Sequence, residues 1–200
     1  MKEEDIYKKI EQLNHKQAIT FGLTCFYRTK HFYQSFESNN DLSKVDSIIG
    51  NGNCLNYIEF ILGKLNDEEI FPYNFPKKDI DFFELAIVDD DYFGSSVENF
   101  SAQLTAIIAN DILEYSHTLD KECIKNCVGS MLEIINQNRS DMFFNSPNKS
   151  PKIELEFYLE KHYELELSIE NTIIEMLQKG EEESKIISFS NENKLIFETI

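Results

Sequence analysis

Tryptophan is missing from this chain, and glycine and proline are scarce, at 7 and 4 of 200 residues. A sandwich or barrel needs a turn roughly every 8–12 residues, so this scarcity argues against one. With 42% apolar residues, including 16 Phe and 9 Tyr, it argues equally against disorder. No apolar run approaches the roughly 18 residues that span a bilayer. The opening MKEEDIYKKIEQL lacks the apolar core of a secretory signal. Of the four cysteines, Cys25, Cys54, Cys123 and Cys127, no two form a C-x-x-C pair, so reduced thiols in a cytoplasmic protein are expected. No P-loop, dinucleotide-type glycine turn or Ser-His-Asp order is present. Gly50-Asn51-Gly52 reads as a turn, because no strand precedes it. No cofactor, and no enzymatic activity, is expected.

Positive charge is also short. Against 36 acidic residues stand 19 Lys and Arg, a net charge of -17. Such a surface repels nucleic acid and anionic membranes, and it attracts basic protein surfaces. Solubility alone would account for the same bias.

What the chain does contain is helical periodicity. In VENFSAQLTAIIANDILEYSH, Val97, Phe100, Leu104, Ile107, Ile108, Ile112 and Tyr115 recur at steps of three and four, flanked by Ser101, Ala102, Thr105, Ala106 and Ala109. Small flanks let neighbouring helices approach, which predicts a central helix over 97–117. Further helices are predicted over 5–13 with Asp5 as N-cap, 15–37 with Asn14 as cap, 54–65, 78–87 with Ile80, Phe83 and Ile87 facing in, and 120–138 capped by Asp120. A short helical piece is expected around Val45, Ile48 and Ile49. NSPNKSP (145–151) is a loop. Residues 152–179 carry both a strand-like alternation and a helical stripe through Leu155, Leu159, His162, Leu165, Ile169, Ile173 and Leu177; length and Glu/Leu richness favour one helix stopped at Gly180. The expectation is an all-α single-domain bundle over 1–180, with a tail over 181–200 able to close as a small β-hairpin around Asn191-Glu192-Asn193.

The run from Ile10 to Phe36 resembles the opening of the YjaG-like bacterial proteins, through Leu13, Gln17, Cys25, Arg28, Tyr33 and Phe36. The Asp90-Asp91 step and the Glu-rich last helix agree in order. The resemblance implies an all-α fold and brings no catalytic residues. Relatives of such stand-alone bacterial domains are sometimes found beside toxin genes, acting as immunity proteins, and this is the role the resemblance suggests.

Four constellations remain. Cys123 and Cys127 lie one turn apart, a spacing that suits core packing better than a metal site. Glu114 and His117 form a single Glu-x-x-His step, where di-iron bundles use two. Asp111 falls on the apolar stripe of the central helix; a buried carboxylate needs a partner, and Arg28 is the natural one to propose. Lastly, acids gather at Asp67, Glu68 and Glu69, at Asp89, Asp90 and Asp91, and along the outer side of the last helix at Glu156, Glu160, Glu164 and Glu170. These define the expected function: an immunity-type inhibitor that occludes a cognate basic toxin, such as a nuclease whose phosphate-gripping groove carboxylates would mimic. The chain would act as a monomer or homodimer, without nucleic acid or membrane. A metal-dependent helical enzyme built on Glu114 and His117 is the contrasting expectation, and a housekeeping helical protein the third.

Overall fold

The computed structural model describes residues 2–40, 53–68, 71–86, 96–145 and 152–195, and among them there are eight helices and no strand. In chain order these are α1 (Glu3–Ile10), α2 (His15–Asn39), α3 (Cys54–Asp67), α4 (Lys77–Ala86), α5 (Val97–Thr118), α6 (Lys121–Asn145), α7 (Lys152–Gln178) and α8 (Glu183–Glu192). The fold is all-α, as the periodicity predicts. The piece around Val45, the Gly50-Asn51-Gly52 turn, Ile87, the loop after Asn145, Glu69 and Asp89–Asp91 lie outside the described residues, and so does the Glu156 side chain.

The helices start where side chains can satisfy their free amides. Asn14, Asn53 and Ser96 each accept a hydrogen bond from the amide three residues on. Asp120 accepts from the Glu122 amide at 3.0 Å, opening α6 as expected. For α1 the expectation needs correcting: Lys2 is the capping residue, and Asp5 sits three positions later, its carboxylate accepting from the Lys2 amide. Gly180, at φ 69°, closes α7 with the Glu181 amide bonded to the Met176 carbonyl and its own amide to Leu177.

Helix α5 is buried on more than its apolar stripe. Ser101, Ala102, Thr105, Ala106 and Ala109 are all enclosed, so the small flanks are contact faces. Helix α2 runs antiparallel against them. Thr105 donates to the Thr29 carbonyl at 3.3 Å, and a Cβ on Gly22 would stand 2.8 Å from the Ile112 side chain. On the other flank α6 returns antiparallel after the Leu119-Asp120 joint, bringing Cys127 and Ile124 beside Ile108 and Ile112. Helices α3, α7 and α8 complete the wall around α2.

Two expectations of facing are overturned. Ile80 is 42% exposed, and Phe82 joins the expected Phe83 in the interior in its place. Leu165 is 59% exposed, because α7 is rotated so that Glu166, Leu167, Glu170, Ile173, Ile174 and Leu177 face in. The hairpin is also overturned. Residues 183–192 form helix α8, whose Ile186 and Ser190 are buried, with the Ser190 hydroxyl donating to the Thr24 carbonyl at 3.0 Å. Packing on α2 satisfies this segment as a helix, despite its β-prone residues.

Candidate functional site: an acid-lined groove

Arg28 and Asp111 are both buried, at 1% and 7% exposure, but they are not a pair. The Arg28 guanidinium bonds Glu166 through both terminal nitrogens, at 2.5 and 2.6 Å, and Glu170 at 2.8 Å. Its Nε donates to the Asn193 carbonyl at 2.6 Å, and the Leu195 amide donates to the Arg28 carbonyl, so the end of α8 is fastened to α2 here. Two carboxylates and one guanidinium would leave a buried negative charge. Burial, and then the neighbouring Glu166 with which it shares a hydrogen bond, push the Glu170 carboxyl well above its ordinary range, against the opposing pull of Arg28. The cluster is a two-pronged Arg28–Glu166 ion pair with Glu170 on the same guanidinium, where burial favours the neutral form of Glu170. The placement of Glu170 on the outer face of the last helix is therefore wrong.

Glu160 and Glu164 point the other way. They line a concavity of about 720 Å³ between α1, α6 and α7, together with Glu3, Glu4 and Glu133. Among the described residues Lys2 is the one lysine or arginine that lines it. Tyr163, Leu132 and Leu167 supply its apolar floor. The acids crowd the phenol: burial, then Glu133 and Glu3, raise the Tyr163 pKa above its ordinary value. Gly129 of α6 adds no side chain to the groove's wall, and the first turn of α1 is acidic where a helix N-terminus favours carboxylates. An aromatic floor beneath a carboxylate rim suits a basic protein segment: the rim meets Lys or Arg, and the floor takes their methylene stems.

The remaining candidates fall elsewhere. Asp67 and Glu68 line a separate depression of about 580 Å³, with His15, Lys16 and Glu183, where Lys16 stands among the acids. Glu114 and His117 are exposed on the last turns of α5 and border a small hollow beside Phe75 and Ile80. Among the described residues no three His, Cys, Asp or Glu side chains gather as a metal cluster. All four cysteines are buried and unpaired by disulfides, with Cys123 and Cys127 on the face of α6 that meets α5. No helix among the described residues is long and apolar enough to cross a membrane.

Sequence reasoning found Glu160 and Glu164 but missed Glu3, Glu4, Glu133 and Tyr163. The signal was present for the first two, since the MKEED start places acids in the opening turn of a helix. No family model matches the chain, and no curated protein and no solved structure matches it.

Proposed function

We propose that this chain is an acidic binding protein of the immunity type, which neutralises a cognate basic toxin by occupying its cationic surface. One observation carries the reading: Glu160 and Glu164 meet Glu3, Glu4 and Glu133 around one concave, aromatic-floored groove with a single lysine among the described residues. Five carboxylates held so close raise the local negative potential well above that of a dispersed surface, which speeds encounter with a basic partner and fixes its register. We propose further that the chain is related to the YjaG-like proteins. The six residues that carry that resemblance serve the fold: Leu13 and Phe36 are core, Gln17 closes the α2 cap, Cys25 and Arg28 border the buried cluster, and Tyr33 donates to the Ala86 carbonyl.

The test is co-expression with the product of the gene directly upstream. Rescue from killing, with a complex that co-purifies at low salt and dissociates at high salt, is the expected result. Killing that continues unchanged removes the proposal.

A further inference from the structure

The groove continues past Gly129 and Glu133 into a second concavity of about 350 Å³, which reaches Asp111 on α5. Asp111 differs from every rim carboxylate. It is only 7% exposed, and its Oδ2 has no hydrogen-bond partner among the described residues. Its one neutral helper is the Asn126 side chain on α6. A carboxylate with an unbonded oxygen is costly to bury. The cost is retained where a ligand supplies the missing donor, as at functional sites in general.

The surroundings define that donor. Ser130 and Glu133 of α6 and the Tyr7 hydroxyl of α1 offer further acceptors around the same hollow. Leu104 and Ile107 form its apolar side. We propose that this hollow is a lysine socket: the side chain of one partner lysine lies along Leu104 and Ile107, and its ammonium bonds Asp111, with Glu133 and Ser130 taking its other hydrogens. The torsion that orients a carboxylate is soft, so Asp111 can turn its free oxygen to the incoming group at low cost. An ammonium fits better than a guanidinium. It is compact with three diverging donors, whereas a guanidinium wants two parallel acceptors and Asp111 has one oxygen to spare. The inference rests on the groove as a receptor for a basic protein and names what its inner end receives.

The experiment titrates n-butylammonium chloride into the isotopically labelled protein, with sodium chloride at equal ionic strength as the control. Saturable shifts at the Asn126, Gly129 and Ser130 amides are expected. They should weaken roughly tenfold or more in Asp111→Asn and vanish in Ser130→Leu, which fills the hollow while leaving Asp111 in place. Hexalysine and hexaarginine peptides then separate a lysine side chain from a free amine: Asp111→Asn should weaken hexalysine binding and spare hexaarginine. Shifts that never saturate, or that Asp111→Asn leaves intact, overturn the socket. Hexalysine binding indifferent to Asp111→Asn overturns the lysine assignment. Saturable butylammonium binding alongside failed rescue in co-expression would uphold the socket while removing the toxin partner. Full rescue by Asp111→Asn would do the reverse.

Discussion

Helix α7 carries two pairs of glutamates, each four residues apart, and they end in opposite environments. Glu166 and Glu170 face the core, where both bond Arg28 and burial favours the neutral form of Glu170. Glu160 and Glu164 face a groove lined, among the described residues, by five carboxylates and one lysine. One pair is tied into the core by Arg28, and the other is presented at a concavity rich in acids. The difference separates structural acids from acids available to a partner.

The inner pair can be broken hardest. Arg28→Met strands the Glu166 carboxylate in the core and should cost about 3–5 kcal/mol in urea melts, while Glu170→Gln, which keeps the group uncharged, should cost less than about 1 kcal/mol at pH 7. Equal losses would mean that Glu170 is ionised. The pH dependence sharpens the point. Glu170 has a folded pKa raised above its ordinary 4.5, so its stabilising contribution is fully present below that value and is lost as pH rises through the folded one. The stability of Glu170→Gln relative to the parent protein should therefore climb with pH above 4.5. A flat difference from pH 5 to 9 would contradict the assignment.

Next in size is the α2–α5 contact. Gly22→Ala pushes a methyl to 2.8 Å from Ile112 and should cost about 1–3 kcal/mol, despite alanine's better helix propensity. Asp111 should behave in the opposite sense. Burial, and then Glu114, push it from 3.8 up to about 7, so the fold's loss of stability begins above 3.8 and is complete above about 7. Glu114 on its own helix, Glu133, Cys123 and Cys127 on α6, and Tyr7 on α1 are the ionisable groups around it, and burial holds both thiols well above their ordinary range. Asp111→Asn should raise stability at pH 8 by about 1–2 kcal/mol, since solvent at the groove mouth screens part of the burial cost, and by little at pH 4. Smallest of all, Glu160→Gln with Glu164→Gln should shift stability by no more than about 0.5 kcal/mol while weakening partner binding.

The helices were legible because their periods are long and their caps conventional: Asn14, Asp120 and Gly180 all act as their residue types predict. Facing on α7 was not. Binary patterning assigns Leu165 inward and Glu170 outward, and both assignments are reversed by a buried arginine on α2 that recruits glutamates into the apolar stripe. The same arginine explains why Asp111 looked like its partner. The sequence offers Asp111 on an apolar stripe as the evident partner, and only tertiary geometry brings Glu166 and Glu170 to Arg28 instead. Helix α8 was hidden for a similar reason, since the partners of its Ser190 and Asn193 lie on α2, more than 160 residues away.

The measurement that bears most directly on the account is rescue from the upstream gene product by two charge-reversed variants of equal net charge. One carries Glu160→Lys and Glu164→Lys in the groove, and the other Asp67→Lys and Glu68→Lys in the mixed-charge depression. Loss of rescue in the groove variant, with rescue kept in the other, is the predicted result. Equal rescue by both, or loss confined to the Asp67 and Glu68 variant, would contradict it.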